Sequence, residues 1–484
     1  MAYTNQREFI ARLEREGELR RIRERVSPRL EITEIATRVM HAGGPALLFE
    51  NVEGSPYPLS INLMGSARRM AMALGVDDLE EIAARIEGLL DTRVPESLLG
   101  KLALLPKLAE MTKYPPRTVR SAAVQELVAE GEAVDLGQLP VLTCWPQDGG
   151  PYFTLPQVIT KDPETGMRNV GMYRMQVFDR RTTGMHWHLH KHGAVHFEKA
   201  RKLGQRLEVA VALGGDPALT YAASAPLPDS IEEYLFAGFL RREPVELVRA
   251  KTVDLEVPAE ADFVLEGYVD PAEPLRCEGP FGDHTGYYSL EDDYPVFHVT
   301  ALTARRDPVY PATVVGPPPM EDYWMGHATE RIFLPLLRLV VPEIVDYHMP
   351  PEGVFHNLVF VSIRKRYPGQ AFKVMHALWG QGLMMLAKVL VVVDESVDVR
   401  CPAEAWWAAL NNIDPQRDSI FTPGPVDALD HASRLPHYGS KLGLDGTRKL
   451  PEEGFSRPWP DKIVMSDEVK LKIDRLWKGL GLES

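Results

Sequence analysis

Cysteine is scarce: Cys144, Cys277 and Cys401 are spread over 484 residues without a CxxC pair. So sparse and odd a set excludes a thiolate zinc cluster and points to a reducing compartment. A basic excess is also missing. Lys plus Arg number 54 against 68 Asp plus Glu, a net charge of −14, which argues against nucleic acid or a general anionic membrane surface as partner. No apolar run reaches the ~18 residues of a membrane span. The opening MAYTNQREFIARLEREGEL is charged and amphipathic, with no secretory apolar core. The glycine turns LGGDP (213–217), AGG (42–44) and MGS (64–66) complete neither GxGxxG nor a P-loop, so none is assigned a nucleotide. No repeat or low-complexity tract stands out. What remains is ordinary globular composition, 45% apolar and 25% charged, in a chain too long for one core. A cytoplasmic multidomain protein is expected.

The texture changes along the chain. Asn5 and Glu8 are placed as a capping box before Phe9, Ile10 and Leu13 on one helical face. A second amphipathic helix runs through Ile32, Ile35, Val39 and Met40 to Gly43–Gly44, and ALLFENV follows as a buried strand. This pattern predicts an α/β unit over residues 1–117, ending at Pro115–Pro116. Residues 118–315 read as mostly β, barrel-like or sandwich-like, with one clear helix from Ser230 to Arg241. GPPPM opens a second α/β unit over 316–450, where the apolar run Val389–Val393 predicts a strand buried on both faces of a parallel sheet. Residues 451–484 form a charged, proline-rich tail with a helix from about Asp467, shaped to dock on another surface. Trp406–Trp407 and GLMML read as core or interface.

Chemistry concentrates in NVGMYRMQVFDRRTTGMHWHLHKHGAVH, where five of fourteen histidines fall within the last eleven residues. His186, His188, His190 and His192 alternate, so on a strand they share one face. A row of imidazoles is costly in a dry core and useful beside a metal, an anion or a titrating substrate. Asn169, one or more of these histidines and Glu233 offer a mixed oxygen and nitrogen set suited to Mn²⁺ or Mg²⁺. Plainer readings stand beside it: Asn169 in the turn after TGMR, and Glu233 as the capping-box partner of Ser230. In EGPFGDHTGYYS, Glu278 and Asp283 flank Gly-Pro-Phe-Gly, a tight loop able to aim both carboxylates at one point. Near a fixed arginine, two such acids are driven to different protonation states.

Together NVGMYR, HKHGA, EYLFAG and EGPFGDHTGYYS resemble the UbiD family of prenylated-flavin decarboxylases. SPRLEITEIATRVMHAGGPALLFENVEG, VLTCWPQDGGP, VPEIVDYHMPPEG and SKLGLDGT are similar to its 4-hydroxy-3-polyprenylbenzoate decarboxylase branch. The resemblance implies an α+β multidomain protein: an N-terminal α/β domain, a central FMN-binding split β-barrel, and a C-terminal α/β oligomerisation domain with its terminal helix. It implies prenylated FMN, supplied by a flavin prenyltransferase, with Mn²⁺ or another divalent ion and K⁺ at its phosphate. By position it makes Asn169, His190 and Glu233 metal ligands. Met172, Tyr173, Arg174, His186, Trp187, His188, Lys191 and His192 fall at cofactor contacts, and the carbonyls of Ala222, Ala223 and Ala225 near K⁺. Arg174, Glu278 and Asp283 match the family's acid–arginine–acid trio. His186 and His188 depart from the pattern, since relatives in that branch often carry Arg and Leu there.

The implied reaction is non-oxidative, reversible decarboxylation of an aromatic acid bearing a para-hydroxyl. A polyprenylated hydroxybenzoate of ubiquinone synthesis or a dihydroxynaphthoate of menaquinone synthesis both fit. The implied state is a homo-oligomer, dimer or hexamer, with peripheral attachment to the inner membrane if the substrate is polyprenylated. Two other readings stay open: a metal-dependent hydrolase built on HxHxH, and a flavin-binding accessory subunit without catalysis.

Overall fold

The computed structural model describes residues 2–90, 114–188, 191–228 and 231–480. The first helix, Gln6–Arg15, starts where its cap predicts: the Asn5 side chain accepts the Glu8 N–H at 3.2 Å. Glu8 returns the favour one residue early, accepting from the Thr4 N–H at 2.7 Å. Phe9, Ile10 and Leu13 face the core. Strand Leu19–Val26 then pairs in parallel with Ala46–Val52 across the helix Glu31–His41. Leu59–Ile61 adds to this sheet antiparallel, and Tyr310–Pro311 closes it from far along the chain. The first and middle thirds are therefore sewn together at one sheet.

The central sheet is antiparallel at every ladder. Its order runs Thr182–Gly184, Val296–Ala304, Phe263–Val269, Leu207–Leu213, Gln157–Lys161, Arg168–Met172, with Leu127–Glu130 also paired to Val296–Ala304. The middle third holds more helix than its sequence suggests. Besides Glu233–Arg241 there are His192–Leu203 and Pro217–Ala222. The helix His192–Leu203 buries only Gly193, His196 and Ala200; without a large apolar residue on its inner face it leaves little 3.6-residue periodicity to read. Ser230, the expected start of the other helix, lies outside the described residues.

In the C-terminal third, Leu358–Ile363, Val389–Asp394 and Tyr438–Asp445 are parallel neighbours, with Ile344–His348 and Ser419–Pro425 antiparallel at the two edges. The Val389–Val393 run is buried on both faces as expected. Leu390 and Val392 pack with helix Gln370–Trp379, while Val391 and Val393 pack with helix Pro402–Asn412. The long helix Glu321–Val340 joins this unit to the rest. Its first residue, Glu321, is buried and accepts hydrogen bonds from the N–H groups of Asn62 and Met64 and from the Thr313 hydroxyl, at 3.2, 2.8 and 2.8 Å. Among the described residues no helix is long and apolar enough to cross a membrane. The terminal helix Asp467–Trp477 buries no residue, and Ile463 just before it is 99% exposed.

Candidate active site

Two motifs distant in sequence interlock to build the site. In VLTCWPQDGGP, the Asp148 carboxylate accepts the N–H groups of Cys144 and Trp145 on one oxygen and that of Gly282 on the other, at 3.0, 2.8 and 2.8 Å. A Cβ on Gly282 would stand 2.1 Å from the Trp145 ring, so glycine is required for the EGPFG loop to lie on that indole. The loop thereby aims both of its acids at Arg174, which follows the strand Arg168–Met172. Arg174 Nε donates to Glu278 at 3.0 Å, Nη1 donates to Asp283, and Nη2 donates to the Ser289 hydroxyl at 3.1 Å. Its guanidinium lies 4.7 Å from the Phe281 ring centre. The three donor–acceptor pairs and the ring fix one arginine in one pose.

This cluster walls a cavity of about 310 Å³ lined by Met172, Tyr173, Arg174, His186, His188 and Lys191, together with Thr154, Phe281, Asp283, His284, Thr313, Val315, Asp322, Phe355, His356, Asp427 and Leu429. Of the eight expected cofactor contacts, six (Met172, Tyr173, Arg174, His186, His188 and Lys191) therefore meet here. Trp187 instead packs in the core against Phe197, and His192 opens a helix. Among the described residues the alternating-histidine strand does not form. The strand ends at Gly184, residues 185–188 are irregular, and Lys191 caps the helix that follows. The imidazoles find their partners by side-chain contact instead. His186 Nδ1 meets Glu278 at 3.0 Å, its Nε2 faces His188 Nε2, and its ring lies 4.2 Å from that of Tyr294. With the strand goes the basis of the hydrolase reading.

The electrostatics divide the titratable groups. Burial alone would raise the Asp283 carboxyl, but the Arg174 guanidinium and His284 reverse it and hold it well below the usual range. Burial would lower His284; its hydrogen bond to Asp283 and the charges of Asp283, Asp322 and Asp427 carry it up to about 9 instead. Burial dominates elsewhere: it lowers His186, brings His188 to about 3 and His356 to about 4, and lifts Asp322 to about 6.

His190 lies outside the described residues. The other two expected metal ligands are neighbours: Glu233 accepts the Val170 N–H at 2.9 Å, beside Asn169. Both are buried, Asn169 Nδ2 has no hydrogen-bond partner, and burial lifts Glu233 to about 7. A buried carboxylate next to an unsatisfied amide, with a histidine segment alongside, fits a hard divalent cation. The carbonyls of Ala222, Ala223 and Ala225 accept the N–H groups of Ala225, Met172 and Leu227 at 3.2, 3.0 and 2.9 Å. Each keeps a second lone pair.

Sequence reasoning passed over His284, Asp322, Phe355, His356 and Asp427. His284 stood in a quoted motif without a role, and the others come from the C-terminal third, where nothing local marks them. Phe355 reaches the cavity from a turn in which Val354 and Phe355 take φ of 39° and 67°. A Cβ on Gly326 would stand 2.4 Å from its ring.

A second cluster lies away from this cavity. His327, Glu330 and His348 offer ligand atoms within 4.8 Å of one another. Glu330 accepts from His327 Nδ1 at 2.9 Å, His348 Nδ1 at 3.0 Å and the Met349 N–H at 2.8 Å, with Arg331 Nε 3.4 Å away. A guanidinium that close opposes a second cation, and burial notwithstanding, the two imidazoles and Arg331 hold Glu330 down to about 2. It is an ion-paired hub.

Three stretches carry the residue pattern of 3-octaprenyl-4-hydroxybenzoate carboxy-lyase: its N-terminal domain over 10–86, its Rift-related domain over 117–318 and its C-terminal domain over 323–446. An uncharacterised protein of Aquifex aeolicus is 53% identical over 483 residues, 99% of each chain. Among solved structures, the UbiD-class enzyme HmfF from Pelotomaculum thermopropionicum in complex with FMN is 32% identical over 97% of this chain and 99% of its own, with a TM-score of 0.80. An evolved dimeric form of it, in complex with prFMN, superposes at a TM-score of 0.78 with 30% identity, over 98% and 100%. Vanillic acid decarboxylase of Sedimentibacter hydroxybenzoicus in closed form is 29% identical with a TM-score of 0.85, covering 100% of both chains. With Arg174 and Asp283 on the wall of one cavity and Glu278 bonded to Arg174 behind them, and with identity to UbiD-class proteins along nearly its whole length, this chain belongs to the UbiD family and is one of its carboxy-lyases.

Proposed function

We propose that the protein decarboxylates an aromatic, para-hydroxylated carboxylic acid with prenylated FMN held in the cavity above Arg174. The observation that carries this reading is the single guanidinium shared by Glu278 and Asp283 on the cavity wall. Met172, Tyr173, His186, His188 and Lys191 would hold the cofactor, and Asn169, His190 and Glu233 would hold a divalent ion, Mn²⁺ by the chemistry of that set. K⁺ would sit at the carbonyls of the 222–225 turn. The chemistry the cofactor supplies when bound is an electron sink for the pair released with CO₂. Arg174 orients the substrate carboxylate, and Glu278, fully buried and tied to Arg174 and His186, keeps that arginine in place. Asp283 passes a proton to the carbon that CO₂ has left.

Vanillic acid decarboxylase among the relatives supports a phenolic acid, and a quinone precursor is the substrate class we favour within that. The exposed Asp467–Trp477 helix supports a homo-oligomer in which a second copy covers it, and a polyprenylated substrate would bring peripheral attachment to a membrane. The domain limits 1–117, 118–315, 316–450 and 451–484 are part of the same proposal.

The test is mass spectrometry of the small molecules and metals released from protein co-expressed with a flavin prenyltransferase, followed by CO₂ release from 4-hydroxybenzoate, vanillate and a dihydroxynaphthoate. Prenylated FMN with near-stoichiometric Mn²⁺ is expected, and Glu233→Gln should lose both. Since ligation needs the ionised carboxylate and Glu233 is lifted to about 7, metal retention should fall as pH drops from 8 to 6. Full cofactor and metal occupancy in Glu233→Gln would overturn the ligand assignment.

A further inference from the structure

Asp283 presents a difficulty as a proton donor. One of its oxygens accepts from Arg174, and the other accepts both the backbone N–H of His284 at 2.7 Å and His284 Nδ1 at 3.0 Å. A carboxylate with both oxygens taken by N–H donors is held ionised and carries no proton to give. The nearest group that can carry one is the imidazole of His284, and it lines the same cavity.

Resting on the decarboxylase reading above, we propose that His284 is the proton reservoir for Asp283, handing it a proton across the Nδ1–Oδ1 hydrogen bond once per turnover. The surroundings of the ring favour a charged imidazole. Asp283 faces it from its own loop, Asp322 and Tyr323 from the start of helix Glu321–Val340, Asp427 from the C-terminal third, and His356 from the strained turn. Of the cations, Arg174 stands beyond Asp283 and Lys191 lines the same cavity. Three carboxylates thus surround one imidazole, and they hold it protonated up to about 9.

The order of events follows from charge. Until substrate binds, Arg174 is engaged with Asp283 and the proton stays on His284. A substrate carboxylate entering against Arg174 shares its positive charge, so Asp283 becomes a better base and the proton crosses from Nδ1 to Oδ1. The C–C bond then breaks, CO₂ departs, and the electron pair left behind takes the proton from Asp283 to form the new C–H bond. Neutral His284 regains a proton from water. One proton enters and one CO₂ leaves per cycle, and no oxidant or reductant is needed.

His284 acts through Asp283, so its test must separate proton supply from mere positioning. His284→Asn keeps an N–H able to hold the Asp283 oxygen but cannot carry a proton; His284→Gln is the second variant if the first folds poorly. On whichever phenolic acid the holoenzyme turns over, the wild-type rate should fall with a limb near pH 9, and the variant should turn over about a hundredfold more slowly with that limb gone. Independently of substrate, NMR of histidine-labelled protein should find the His284 ring protonated to about pH 9, and titrating well below that in Asp283→Asn. A His284→Asn rate within twofold of wild type at every pH, or a ring that titrates alike with and without Asp283, would overturn the proposal. If Asp283→Asn itself turns over normally, the decarboxylase mechanism fails at Asp283 instead, and the two failures are told apart.

Discussion

The chain builds two clusters from the same parts. In one, Glu278 and Asp283 share Arg174 with His186 and His284 attached. In the other, Glu330 sits between His327, His348 and Arg331. Both are buried carboxylates satisfied by imidazoles and a guanidinium. What separates them is where the second side of each group faces. Arg174, Asp283 and His284 line a cavity, so an incoming anion can compete for the arginine and shift protons among its neighbours. Arg331 is 2% exposed and committed to Asp346 at 2.7 Å, and Arg400 ties the same aspartate to Glu80 of the N-terminal third at 2.9 and 2.8 Å. That cluster has no room for a competitor and serves cohesion. The parts alone do not make a catalytic site; access does.

Breaking the closed cluster should cost stability and nothing else. Arg331→Ala removes the buried guanidinium shared by Glu330 and Asp346 and should lower unfolding stability by about 3–5 kcal/mol, read by denaturant titration, while cofactor stoichiometry per folded molecule stays at the wild-type value. The mirror change in the open cluster, Arg174→Ala, should reduce kcat/KM by about 10²–10³ with a smaller change in melting temperature. If Arg174→Ala proves the less stable of the two, the division fails.

The smallest effect sharpens the comparison through pH. Glu330 is held down to about 2, below the ordinary glutamate value near 4.3. A depressed carboxyl contributes stability that is fully present above its unfolded value and is lost as pH falls through the folded one. Glu330→Gln should therefore cost about 1–3 kcal/mol at neutral pH and flatten the acid limb between about pH 4 and 2. An unchanged acid limb would mean that Glu330 is not ion-paired in solution.

Much of this organisation was legible in the residues. Val389–Val393 announced a strand buried on both faces because its neighbours above and below are both apolar helices. Asn5 and Glu8 marked the first helix. Arg174, Glu278 and Asp283 could be chosen because each lies in a dense motif. The histidine strand was misread because spacing of two fits a strand and also fits an irregular segment leading into a helix; only the contacts of His186 with Glu278 and His188 decide it. Asp427 and His356 were invisible because what makes them matter is proximity to His284 and Lys191 across folded units, which no local pattern encodes.

The turn that presents Phe355 carries its own consequence. A β-branched residue such as Val354 pays heavily for a left-handed backbone, and here two successive side chains adopt one. Only the surrounding fold keeps them there, with Phe355 set against Gly326. A glycine or asparagine at position 354 would sit more comfortably, yet it would also let the Phe355 ring drift from its place on the cavity wall. At this bend, comfort of the chain and sharpness of the pocket are opposing demands, and the sequence has settled for the sharper pocket.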